Sequence, residues 1–265
     1  MHKLLDKVFS PWYNSRDEKQ GVLTHSVKEE EMKRKIPRLT RFELALWMGS
    51  LLTVLLSFLI FDREGYMSLV ASLIGVSALI FCAKGHPIGQ VLVVIFSFFY
   101  GVISYVCAYY GEMITYMGMS LPMAVASLIS WLRHPYGDGA EVVVGRITRR
   151  EKMLLPLLVT LVTVAFYFIL RALGTASLPV STLSVATSFL AVYMTMRRSP
   201  YYAVYYAAND VVLIVLWTIA AVKDSVYISV VACFAAFLAN DIYGFVNWRR
   251  MERRQAAESA ASARQ

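Results

Sequence analysis

The chain has 265 residues, of which 58% are hydrophobic and only 17% charged, with a mean hydropathy of +0.54 and a formal net charge of +8. A soluble domain runs at about 45–50% apolar and about 25% charged residues. This composition therefore excludes a disordered chain, a disulfide scaffold and a nucleic-acid binder with a charged face, and leaves a protein that crosses a membrane several times.

Residues 1–41 hold ten Lys and Arg and no long apolar core, so no cleavable signal peptide is expected there. Leu4, Leu5, Val8, Phe9, Trp12 and Tyr13 form a helical stripe flanked by Lys3, Lys7 and Arg16. That pattern suits a helix lying in the headgroup plane, or one packed on another part of the protein. Residues 29–41 read as a charge-dense linker. A spanning helix needs about 20 mostly apolar residues. Eight segments qualify: 43–61, 67–83, 87–110, 113–132, 153–173, 180–196, 200–222 and 226–248. The cuts between them are short and polar, and Gly111-Glu112 reads as one of the linkers. The runs are continuous rather than alternating, which favours helices over a barrel. With both termini on one side, 23 of the 26 Lys and Arg fall on that side and only Arg63, Arg171 and Lys223 on the other. The positive-inside rule then makes both termini cytoplasmic.

The three cysteines, Cys82, Cys107 and Cys233, sit inside apolar runs, with no disulfide or metal spacing. No phosphate-binding glycine loop is present, and all four histidines fall outside the spans. Neither a cofactor nor a metal nor a catalytic residue is expected, and a membrane-embedded enzyme is the weaker alternative. An internal repeat is visible. Lys84-Gly-His-Pro87 and Arg197-Arg-Ser-Pro200 lie 113 residues apart, each between two apolar helices. Each block ends on a Trp followed by Arg, Trp131/Arg133 and Trp248/Arg249, and these tryptophans read as interfacial anchors. The expected organisation is a basic segment over 1–41, an extra helix over 42–62, and a first three-helix repeat over 67–133. A linker helix over 153–173, a second repeat over 180–248 and a basic tail over 249–265 follow. An odd linker makes the two repeats parallel, with a substrate site between them near the midplane.

Residues 67–250 resemble the Pnu vitamin transporter family, most closely its nicotinamide riboside branch of the PnuC type. The resemblance rests on Met196-Arg-Arg-Ser-Pro-Tyr-Tyr-Ala-Val-Tyr-Tyr-Ala-Ala-Asn-Asp210 and on Leu238-Ala-Asn-Asp-Ile-Tyr-Gly-Phe-Val-Asn-Trp248. It implies an all-α membrane protein of three-plus-one-plus-three design similar to the SWEET sugar transporters, here with an extra N-terminal helix, assembled as a homotrimer in a bacterial inner membrane. It also implies uptake of nicotinamide riboside by facilitated diffusion, with trapping by cytosolic phosphorylation. A sister transporter for thiamin or a related vitamin is the alternative. No coupling device such as a carboxylate–histidine chain is visible along the spans.

Polar groups inside the bilayer need a reason. Tyr202, Tyr205 or Tyr206, and Asn209 are spaced i, i+3/i+4, i+7 to share one helical face, as a pocket wall for a flat heterocycle, with Tyr205 assigned to the site. Gln90 in the third span suits a carboxamide or a sugar hydroxyl. Adjacent helical residues point about 100° apart, so of each Asn-Asp pair one residue is assigned to substrate. Asn209 and Asn240 are placed in the pocket, while Asp210 and Asp241 are given structural roles.

Overall fold

The structure, a computed structural model, describes residues 37–106, 110–137, 141–175 and 177–262. The chain divides after residue 36, and everything described here belongs to the unit that begins at Pro37. The amphipathic stripe over 1–16 and Cys107 lie outside the described residues.

Among the described residues eight helices are long and apolar enough to cross a membrane. They are α1 (Arg41–Phe61), α2 (Tyr66–Ala83), α3 (Pro87–Val106), α4 (Tyr110–Leu132), α5 (Arg149–Ala172), α6 (Leu178–Met196), α7 (Tyr202–Ala221) and α8 (Ile228–Ser262). Two differ from the sequence expectation. Helix α4 starts at Tyr110, so Gly111 and Glu112 are helical rather than a linker, and Thr115–Ser120 forms a π-helical turn within it. Helix α8 does not stop at Trp248. It runs on through the basic tail to Ser262, because the sequence after Trp248 holds no Gly or Pro and is rich in strong helix formers.

Helix α2 packs on α3 and on α8, and α6 packs on α7 and on α4. Each three-helix block thus lends its last helix to the first helix of the other block. The turns at the ends of α2 and α6 are built alike. Gly85 and Arg198 both take positive φ, 66° and 55°. The Gly85 N–H donates to Cys82 O and the His86 N–H to Phe81 O; the Arg198 N–H donates to Thr195 O and the Ser199 N–H to Met194 O. These paired bonds are Schellman-type caps that satisfy the last carbonyls of each helix. Arg198 carries a left-handed strain that glycine avoids. Its guanidinium offsets this by donating to Val143 O at 3.1 Å and Ser130 Oγ at 2.9 Å. Burial, and then the neighbouring Arg197 charge, bring its pKa down to about 10.

Trp131 and Trp248 are not interfacial anchors. Both are fully buried, with ring centroids 5.4 Å apart. The Trp131 indole donates to Thr195 O at 2.9 Å, and the Trp248 indole to Cys82 O at 2.8 Å. Thr195 and Cys82 are themselves 113 residues apart, so each tryptophan closes the helix end of the opposite block.

The α4–α5 connection fastens both turns at once. The Val142 N–H donates to Gly85 O at 3.0 Å and the Gly145 N–H to Arg198 O at 2.9 Å. A Cβ at Gly145 would stand 2.1 Å from Arg197 O, so this close approach requires glycine. The extended end of α8 holds the strap from outside: Gln255 accepts from the Val144 N–H at 2.8 Å and donates to Val142 O at 3.1 Å. Arg254 pairs with Glu141.

Helices α1 and α5, read from sequence as an addition and a linker, begin with the same device. Arg38-Leu-Thr-Arg-Phe-Glu43 and Arg146-Ile-Thr-Arg-Arg-Glu151 each open with a Thr–Glu capping box. The capping glutamate then pairs with the basic residue of the adjacent turn, Glu43 with Lys84 at 3.0 Å and Glu151 with Arg197 at 2.7 Å. Lys84 and Arg197 again stand 113 residues apart. These contacts set the N-terminus of α1 beside the C-terminus of α2. The starts of α1, α3, α5 and α7 and the turns after α2, α4 and α6 therefore share one face.

Candidate functional site

A cavity of about 110 Å³ lies between the two blocks. Its wall draws on α2, α3, α4, α6, α7 and α8 and on neither α1 nor α5. The aromatic part comes from α7 and α4. Tyr202 is buried edge-to-face against Trp248, with centroids 5.0 Å apart, and Tyr206 meets Tyr202 at 6.2 Å. Across from them Tyr116 projects from the π-turn of α4 and stacks on Tyr100 at 4.7 Å. The π-turn offsets the register of α4 by about one residue, a distortion frequent at functional sites.

Gln90 stands in the first turn of α3, where Pro87 starts the helix, and lines the cavity. Its amide nitrogen contacts Cys82 Sγ at 3.2 Å. Asn209 also lines it. The Asn209 amide oxygen faces three hydroxyls of α6: Ser184 at 3.1 Å, Thr187 at 2.9 Å and Ser188 at 3.0 Å. That arrangement occupies the acceptor and leaves the NH₂ to serve as a donor toward the cavity.

The other expected residues divide differently from the sequence reading. Tyr205 is not on this wall. It faces a second groove beside α5, and Tyr206, one position on, takes the place in the cavity. The i, i+4, i+7 spacing from Tyr202 is the one that follows the wall. Asn240 is buried against α1, where its amide donates to Ser50 Oγ and to Ala236 O, both at 2.8 Å. It is Asp241, not Asn240, that reaches the cavity. Asp210 lines it as well, so both members of the α7 pair contribute. Asp210 and Asp241 are each 3% exposed, and their carboxyls meet each other. Oδ2 of Asp210 has no hydrogen-bond partner among the described residues.

Glu112 adds a third carboxyl to the wall. No sequence argument placed it there, because the glycine beside it reads as a break between spans. Among the described residues no Lys, Arg or His lines the cavity. Among the described residues no three His, Cys, Asp or Glu side chains converge as a metal site. The chemistry on offer is a donor amide, a second carboxamide, phenol rings and three carboxyls, two of which meet each other. That set suits a flat, cationic, hydroxyl-bearing solute.

Six membrane-length helices around one polar cavity define a membrane transporter fold. Residues 65–250 match the family described as nicotinamide mononucleotide transporter, and the chain belongs to this family, which includes the PnuC transporters. It is 25% identical over 225 residues to the nicotinamide riboside transporter PnuC of Neisseria mucosa, covering 83% of this chain and 85% of that one. It is 23% identical over 194 residues to the nicotinamide riboside transporter PnuC of Haemophilus influenzae, covering 72% and 82%. A solved crystal structure, described as the vitamin B3 transporter PnuC, superposes with a TM-score of 0.72 at 21% identity, covering 88% of this chain and 99% of the other. The fold is thus PnuC-like, and membership of a transporter family implies a function that is not enzymatic.

Proposed function

We propose that this protein carries nicotinamide riboside across a bacterial inner membrane by facilitated diffusion, and that phosphorylation in the cytosol traps the vitamin. The observation that carries this reading is the acidic lining of the cavity: the carboxyls of Glu112, Asp210 and Asp241 line it, and among the described residues no cationic side chain does. Nicotinamide riboside bears a positive pyridinium ring and no phosphate. Its mononucleotide adds a phosphate, and at 6 Å one phosphate charge and one carboxylate repel by about 3 kcal/mol at an effective dielectric of 20. The unphosphorylated nucleoside therefore fits the wall better than the nucleotide of the family's description. In this reading Tyr202, Tyr206 and Tyr116 flank the ring, and Gln90 and Asn209 hydrogen-bond the carboxamide or the ribose.

The basic distribution supports placing the face with the strap in the cytoplasm, which puts both chain ends there. The 113-residue correspondence of turns, caps and tryptophan bonds supports two parallel three-helix repeats that rock about the cavity. A homotrimer is the assembly the family resemblance suggests. Thiamin, whose thiazolium ring is also a cation, is the alternative cargo. The test is titration calorimetry of the purified protein with nicotinamide riboside, its mononucleotide and thiamin, followed by proteoliposome uptake. Preferred binding of nicotinamide riboside and uptake without ATP, sodium or a proton gradient is the expected outcome. Tighter binding of the mononucleotide, or accumulation against a gradient with no trapping enzyme inside, would overturn it.

A further inference from the structure

A second recess, of about 830 Å³, opens on the face that carries the strap. It lies between α5, α6, the start of α7 and α8, and the strap residues Gly145–Ile147 form one edge. Its rim is basic. Arg146, Lys152 and Arg249 stand around it, and the one acidic rim residue, Glu252, is paired with Arg249. The Arg249 guanidinium also sits 5.9 Å from the Tyr201 ring. Arg146 and Lys152 are exposed, and among the described residues neither side chain makes an ion pair or hydrogen bond.

Below this rim the recess is apolar. Leu155, Val159, Leu190 and Met194 form its floor. Pro156 and Thr160 of α5 complete the wall on that side. Tyr201 and Tyr205 stand at the boundary between the two zones, where amphipathic rings are favoured. A soluble anion would use only the rim, and a neutral lipid only the floor.

We propose that this recess binds an anionic glycerophospholipid. The headgroup phosphate rests between Arg146 and Lys152, with Arg249 closing the rim, and an acyl chain lies on the floor of Leu155, Val159, Leu190 and Met194. Basic recesses between membrane helices on the cytoplasmic side hold such headgroups by charge, and burial of the chain adds the apolar contribution. The site is distinct from the central cavity and does not depend on the identity of the transported solute. Because Gly145–Ile147 and Ser199–Tyr201 border it, the lipid would touch the strap and the turn before α7 together.

Native mass spectrometry of the full chain, released from detergent supplemented with phosphatidylglycerol or with phosphatidylcholine, tests this. Phosphatidylglycerol should be retained preferentially. The double variant R146Q/K152Q should lose that preference by about 30-fold, the equivalent of two basic residues near an anionic surface. R253Q, a basic residue of α8 outside the recess, should leave it unchanged. Inorganic phosphate in millimolar excess should not displace the lipid. Equal retention of both lipids, or full competition by inorganic phosphate, would overturn the proposal. So would an unchanged preference in the double variant, or a preference lost only together with a change in oligomeric mass, which would make the recess a subunit contact. Both substituted side chains are exposed and unpaired, so the variants should fold; an unchanged melting temperature in phosphatidylcholine checks it.

Discussion

Replacing Asn209 with Leu separates the cavity from the rest of the polar interior. The side chain does two jobs: its oxygen receives the α6 hydroxyls, and it lines the cavity with its NH₂ as the donor left over. Loss of the first is cheap. An oxygen has two lone pairs, and interhelical side-chain bonds in membranes average about 0.6 kcal/mol, so the fold should lose about 1 kcal/mol. Thr187 already has carbonyls of its own helix at 3.0 and 3.1 Å to turn to. Loss of the second leaves a bound amide or hydroxyl unpaired, at about 1–3 kcal/mol. Nicotinamide riboside binding should weaken roughly 5- to 150-fold. The control is Asn240→Leu, which removes the bond to Ser50 on α1 without touching the cavity. Its affinity should stay within about twofold of wild type, since the site shares no partner with it. Calorimetry reads the affinities and thermal unfolding reads the stabilities. Wild-type affinity in Asn209→Leu, with binding lost in a well-folded Asn240→Leu, would refute the assignment of the cavity as the binding site.

Glu112→Gln should narrow the discrimination between nicotinamide riboside and its mononucleotide by up to roughly 100-fold; an unchanged ratio in competition titrations would contradict charge exclusion. Gly145→Ala brings a methyl against Arg197 O and should cost about 2–4 kcal/mol through overpacking and the lost strap bond. Gly49→Ala, with no atom within 4 Å, should instead raise stability by about 0.5–1 kcal/mol, and a reversed order of melting temperatures would sink the argument. Trp131→Phe and Trp248→Phe should lower the melting temperature by similar amounts. Because the rings touch, the double variant should fall short of the sum; strongly unequal single effects would argue against equivalent roles.

The spans were legible because continuous apolar runs and short polar cuts are one-dimensional signals. The 113-residue correspondence was legible through Pro87 and Pro200. What escaped were features fixed by partners remote in the chain. Trp131 and Trp248 look like interface anchors beside arginines, and only the opposite block reveals carbonyls at Thr195 and Cys82 for them. The choice between Asn240 and Asp241 was set by Ser50, on a helix that no local pattern links to α8. Tyr206 rather than Tyr205 is a difference of one residue in a run of tyrosines. Glu112 was lost because glycine next to a charge reads as a loop, whereas a π-turn lets α4 begin early. One missed signal was present in the letters: the pattern Arg, aliphatic, Thr, Arg, any residue, Glu occurs at 38–43 and again at 146–151. It shows that α1 and α5 start alike, each bracing the turn after the next helix.

The unbroken course of α8 has a mechanical consequence. Its 35 residues span about 52 Å, against a hydrocarbon core of about 30 Å. Asp241 sits in the cavity, and Gln255, fourteen positions further along the same helix, grips the strap. That separation is about 21 Å, so tilting α8 by about 10° around Asp241 sweeps Gln255 through nearly 4 Å. No hydrogen bond stretches that far. Either the strap travels with the helix or it lets go. Any tilt of α8 about the cavity is therefore magnified to an ångström-scale displacement where the helix meets the strap.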